Sequence, residues 1–217
     1  YENTFSGSNV WKPADSRESN LKYELSSSGV TLEFWVKFGE LDRTNTTTKQ
    51  TIFDLTNNQS SGSDSWSPYG RMWLYLNNSP DQDDDFNGFV LAIHSGSGKK
   101  HVPALPADSG FSFANTGSWH HYAFTVKNSS DGDLVVEAYQ NGVIAKTTIA
   151  LGSGNDKLAI GEVTGALEAT IGSLGSPYKL LNTAGDTTGS IGAYKLSGSI
   201  DEFRYWKTKR TAKEISF

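Results

Sequence analysis

Four aspartates, Asp81, Asp83, Asp84 and Asp85, crowd one polar stretch of the chain. Carboxylates at that density suit a hard cation, since calcium takes about six to eight oxygens, sugar hydroxyls included. The stretch lacks the glycine and the closing glutamate of an EF-hand loop, so that motif is absent. The same composition equally describes a solvated, charged loop. Upstream, Trp66 and Tyr69 flank Ser67-Pro68. Flat rings stack on the C–H faces of sugars, and loops carry function more often than sheet faces do, so this pair is a candidate glycan contact. Trp73 fits a strand core better.

Other chemistry is scarce. His120 and His121 are adjacent, so on a strand they point to opposite faces and do not share a metal; His121 reads as a structural hydrogen-bonding residue. His94 and His101 stand apart in the sequence. With no cysteine, disulfides, zinc thiolates and cysteine nucleophiles are excluded. No Gly-x-Ser-x-Gly elbow and no phosphate-cradling glycine loop occurs. Four Asn-x-Ser/Thr sequons, at Asn45, Asn58, Asn77 and Asn128, matter only in a eukaryotic secretory pathway. Net charge is −5, and the one basic cluster, Lys207, Lys209, Arg210 and Lys213, reads as a solvated terminal turn. A nucleic-acid footprint is therefore absent. No apolar run is long enough to span a bilayer.

The elements that must position these residues are strands. Residues 31–38 alternate, with Leu32, Phe34, Val36 and Phe38 on one face and Thr31, Glu33, Trp35 and Lys37 on the other. Further strands are expected at 50–55, 71–76, 88–94, 119–126, 134–140, 143–149, 158–161 and 199–206. Asn141-Gly142 supplies the two positive-φ positions of a tight hairpin. Residues 96–100 read as a turn, 165–188 as a long glycine-rich loop, and 210–215 as one helical turn. Short strands at intervals near ten residues, with polar turns and no composition break, predict a single all-β domain over 1–217. The architecture is a two-sheet antiparallel jelly-roll β-sandwich. The start at Tyr1 suggests a piece of a longer polypeptide.

If 199–206 pairs with 31–37, Glu33, Trp35 and Lys37 share a face with Glu202, Arg204 and Trp206. Trp35 and Trp206 are then either a sugar-stacking platform or part of a structural ladder covered by a terminal segment or loop, the more ordinary outcome.

Four phrases, Val30-Thr31-Leu32-Glu33-Phe34-Trp35-Val36-Lys37-Phe38, Gly117-Ser118-Trp119-His120-His121-Tyr122, Tyr139-Gln140-Asn141-Gly142 and Gly198-Ser199-Ile200-Asp201-Glu202-Phe203-Arg204-Tyr205-Trp206, occur in an order that resembles laminin-G-like members of the concanavalin A-like lectin/glucanase superfamily. The resemblance implies the concanavalin A-like jelly roll and either sugar binding or glycoside cleavage. The glucanase branch carries Glu-x-Asp-x-x-Glu on one strand, placing two carboxylates about 5 Å apart. No such triplet is present, which points to a chain that is not an enzyme. In related jelly rolls an Asp on the closing strand helps hold a structural calcium, which nominates Asp201; the other reading of Asp201 is a strand-end cap. The implied role is a non-catalytic module that binds carbohydrate or a surface partner, with calcium assisting, at an extracellular, cell or virion surface. The alternatives are a structural domain of a phage tail or capsid and, last, a glycoside-active enzyme.

Overall fold

The structure is a computed structural model, and it describes residues 3–7, 21–39, 49–57, 70–77, 88–95, 98–106, 117–150, 167–175, 178–180 and 187–216. Two antiparallel sheets face each other. One has the order β1-β10-β3-β4-β5-β6, from β1 (Asn3–Gly7), β3 (Lys49–Thr56), β4 (Gly70–Asn77), β5 (Gly88–Ser95), β6 (Gly98–Pro106) and β10 (Leu167–Ile171). The other has the order β13-β2-β7-β8-β9, from β2 (Val30–Phe38), β7 (His120–Asn128), β8 (Leu134–Gln140), β9 (Val143–Ala150) and β13 (Gly198–Trp206). A short ribbon pairs β11 (Tyr178–Leu180) with β12 (Thr187–Gly189), and a single helical turn, α1 (Ala212–Ile215), follows β13.

Period-2 alternation builds the layer between the sheets. Leu32, Phe34, Val36 and Phe38 of β2 are buried against Phe53, Leu55, Met72, Leu74, Phe89, Leu91 and Ile93 of the opposite sheet. Phe34 stacks on Phe124 with centroids 6.2 Å apart and meets Phe89 edge-on at 6.4 Å. Phe203 stacks on Phe53 at 5.2 Å across the sandwich. Aromatic pairs of this kind add about 0.5–1.5 kcal/mol each beyond area burial. No helix among the described residues is long and apolar enough to cross a membrane.

The hairpin at 141–142 forms as its sequence requires, with Asn141 at φ 48° and Gly142 at φ 80°. Two expectations are corrected. The turn expected at 96–100 ends by Gly98, where β6 begins and pairs with β5. Pro103 and Pro106 obscure this strand, yet proline is tolerated on a sheet edge, and β6 is the edge. The loop expected at 165–188 contains three strands. Of these, β10 lies inside the six-stranded sheet between β1 and β3, with Leu167, Ala169 and Ile171 buried. Its alternation spans only five residues, too short to stand out from the glycines around it. Glu168 therefore sits on a strand, opposite Thr56. The strand expected at 158–161 lies outside the described residues.

Candidate functional site

The outer face of the five-stranded sheet carries most of the described polar and aromatic residues singled out by sequence, and it divides into two halves. In the first half, β13 pairs with β2 so that Arg204 lies opposite Glu33 and Trp206 opposite Thr31. Glu33 is 1% exposed, and four donors converge on its carboxylate. Arg204 Nη1 donates to Oε1 at 3.2 Å and Trp206 Nε1 to Oε2 at 3.0 Å. Arg210 Nη1 donates to Oε2, and His121 Nε2 lies 3.3 Å from Oε1. Burying a carboxylate requires such compensation, because an unpaired buried charge is costly. Burial lowers the His121 pKa, and Arg204 and Arg210 add to this; Glu33 opposes them without prevailing. The imidazole is thus neutral at neutral pH, and Nε2–H serves Glu33 as a donor.

The segment after β13 closes this half like a strap. Thr31 Oγ1 donates to Thr208 O at 2.8 Å and accepts from Arg210 N at 2.9 Å. Lys209 Nζ reaches Glu137 at 2.7 Å. Burial pushes the Glu137 carboxyl up, but donors from Lys209, Tyr139 and Thr125 more than reverse that and hold it below its ordinary value. Tyr139 is pushed up to about 12 by burial and by Glu137. The strap ends in α1, where Thr211 and Glu214 form a reciprocal capping box and Ile215 packs, fully buried, on Ala123 and Tyr139. Arg210 also lies over the Trp206 ring, 4.6 Å from its centroid.

The second half is open. Asp201 pairs with Trp35 and Trp35 with His121, making one row. Ser199 pairs with Lys37, and the β2–β7 pairing continues past the strand, with Gly117 N donating to Phe38 O at 3.0 Å. Trp119 therefore falls beside Lys37 in the next row. Trp119 is 45% exposed; Lys37, Ser199 and Asp201 are exposed and Trp35 is half-buried, its ring 5.3 Å from that of His121. Between the halves β13 bulges, with Glu202 at φ 47°. Asp201 Oδ1 accepts from Glu202 N at 2.8 Å and Arg204 Nη2 holds Glu202 at 2.7 Å, so side chains on both sides fix a backbone conformation that glutamate rarely adopts.

Of the residues singled out by sequence, Trp35 and Asp201 meet in the open half. Trp206 falls in the closed half, its N–H spent on Glu33 and its ring under Arg210. The shared face of Glu33, Arg204 and Trp206 is thus a hydrogen-bonded ladder, in which Trp206 stays 37% exposed. Asp201 closes the bulge, and among the described residues no group of three or more carboxylate or imidazole donors assembles around a cation position. Calcium takes about six to eight oxygens, many of them backbone carbonyls, and Asp201 supplies one carboxylate toward that number. Trp66, Tyr69, Asp81, Asp83, Asp84 and Asp85 lie outside the described residues. Trp73 is buried, stacked on Tyr75 at 4.1 Å and donating to Thr51 Oγ1 at 3.1 Å. His94 and His101, apart in the sequence, are neighbours across β5 and β6. Sequence reasoning passed over Trp119, although it shares parity with His121, opposite the buried Tyr122 and Phe124.

A family model described as the concanavalin A-like lectin/glucanases superfamily matches residues 14–216. No curated protein matches the sequence. Among solved structures, the chain is similar to a native heptameric SAP-like pentraxin from Limulus polyphemus, at 16% identity and TM-score 0.44, over 91% of this chain and 76% of that one. It is similar to the botulinum neurotoxin serotype D binding domain at 14% identity and TM-score 0.46, over 98% of this chain and 41% of that one. It is also similar to an endo-β-1,4-glucuronan lyase from the fungus Trichoderma reesei at 13% identity and TM-score 0.40, over 78% of this chain and 74% of that one.

Proposed function

The chain belongs to the laminin G family of the concanavalin A-like lectin/glucanases superfamily, and from that premise we propose that it is a non-catalytic module that binds carbohydrate through the open half of its five-stranded sheet. The observation that carries this reading is the exposed Trp119, just before β7 and near half-buried Trp35, with Lys37, Ser199 and Asp201 at hand. An indole offers a flat apolar face to sugar C–H groups, and the polar neighbours offer hydrogen bonds to hydroxyls. Glu33, the most buried carboxylate on this face, has its oxygens occupied by four donors from the protein itself. Calcium assistance is part of the proposal and draws on the aspartates at 81–85. The setting proposed is an extracellular, cell or virion surface, within a longer polypeptide.

A glycan array probed with the chain, in calcium and again in chelator, tests the reading. Specific binding that Trp119→Ala abolishes is the expected result, and loss in chelator assigns calcium its part. An array blank in both conditions rejects sugar binding for the glycans displayed. It would turn the reading to a structural, protein-contacting domain of a virion or surface assembly. One observation favours that second reading: β9 is an edge strand with Val143 68%, Ile144 49% and Ile149 55% exposed. Light scattering would then show self-association that Ile144→Lys removes.

A further inference from the structure

At the far edge of the other sheet, two histidines seven residues apart meet. In the β5–β6 ladder Ala92 pairs with His101 and His94 with Lys99, so the two imidazoles stand diagonally across the ladder. Their Nε2 atoms are 3.3 Å apart, their ring centroids 5.5 Å apart, and their planes inclined by 48°. His94 is buried and His101 half-buried.

We propose that His94 and His101 form a site for a divalent cation of the zinc class, gripped between their two Nε2 atoms across the β5–β6 edge. The separation is the first argument. A zinc–imidazole bond is about 2.0–2.1 Å long, so two ligands on a tetrahedral centre hold their nitrogens about 3.3–3.4 Å apart. The imidazoles already stand at that spacing. The second argument is preorganisation. Both rings rise from paired strands, so ordering them at binding costs little. The third is ligand type, since imidazole favours zinc, copper and nickel over calcium and magnesium. Arg71, opposite His94 on β4, does not set an uncompensated charge against the cation. Asp54 holds its guanidinium through Nε at 2.7 Å and Nη2 at 2.6 Å.

In the metal-free protein, one neutral Nε2–H donates to the other ring's Nε2. With the cation bound, both rings are neutral, carry their hydrogen on Nδ1 and present lone pairs from Nε2. Water fills the remaining positions, so the affinity falls below that of closed four-ligand sites. The cation staples the proline-bearing edge strand β6 to β5. This metal differs in class from the calcium considered for the acidic stretch.

The test is a calorimetric titration of the chain with zinc chloride near neutral pH, with ¹⁵N imidazole resonances followed in parallel. The expected result is one zinc per chain, reversed by chelator. Ring signals of His94 and His101 shift while those of His120 and His121 stay. His94→Ala and His101→Ala each weaken binding by about tenfold or more. Absent zinc binding, or zinc binding that leaves the His94 and His101 rings unshifted, overturns the proposal. So does binding of equal strength in the double variant. The ring signals are read in the unaltered chain, so a variant that fails to fold does not blunt the test.

Discussion

The two halves of the five-stranded sheet's outer face come from the same strands, yet they use their side chains in opposite ways. In the closed half, the polar groups are directed at one another. Glu33 takes His121, Arg204, Trp206 and Arg210, and Glu137 takes Lys209, Tyr139 and Thr125. In the open half the rows end in the exposed side chains of Trp119, Lys37, Ser199 and Asp201. The half richer in ionisable groups is therefore architecture, because each charge there is already answered from within. The half poorer in charge is the one in which we propose that a ligand binds.

The comparison breaks most visibly at Glu33. Glu33→Ala leaves Arg204 and Arg210 without their buried partner, and removing one member of a buried ion cluster costs about 3–5 kcal/mol. Arg204 retains Glu202 and is partly exposed, so the lower end of that range is expected. Urea denaturation reads the loss directly. A variant as stable as the parent would mean that the strap is held by Ile215 and its capping box, and that the ion cluster is incidental.

How much of this was legible in the sequence follows from what alternation does and does not encode. The inward face of β2 and the pairing of β13 with β2 were readable because eight residues of strict alternation fix a face, and a one-residue slip would reverse it. The ladder of Glu33, Arg204 and Trp206 followed from the same parity. The bulge at Glu202 was hidden, since nothing local in Asp201-Glu202-Phe203 announces a positive φ at a glutamate. The bulge sets Asp201 opposite Trp35, and the terminal strap, a tertiary feature, sets Trp206 apart from Trp35. The meeting of His94 with His101 was equally hidden, because it depends on the register of an edge strand whose prolines argued against a strand at all.

Acid titration sharpens the comparison further. His121 lies in the row that joins the two halves, and burial holds its pKa below 6.5 in the folded chain. Between the folded and unfolded values the unfolded chain binds more protons, so stability falls as pH drops through 6.5. Glu137 acts lower. Its folded pKa lies below 4.5, so its contribution is present above the unfolded value and lost as pH falls through the folded one. Denaturation midpoints measured from neutral pH downwards should show two successive declines. His121→Gln removes the first and leaves the second. A single decline confined to the carboxylate range in the parent chain would show that His121 accepts its proton in place, with Glu33 outweighing burial.

The smallest effect on stability is expected in the open half, and it is the one that decides function. Trp119 is 45% exposed and lies just outside the ladder of β7, so Trp119→Ala should shift unfolding by no more than about 0.5 kcal/mol. Glycan retention should nevertheless disappear, because the face the sugar needs is that ring. Trp35→Ala mixes the two effects, since Trp35 is half-buried against His121 and its removal disturbs the row beneath. The two tryptophans thus form an internal control. If Trp119→Ala destabilises the fold as much as Trp35→Ala does, its ring is a structural lid and the open half closes on itself as the other half does. If it costs binding and leaves folding intact, the division of the sheet into a part that holds and a part that recognises stands on a measurement.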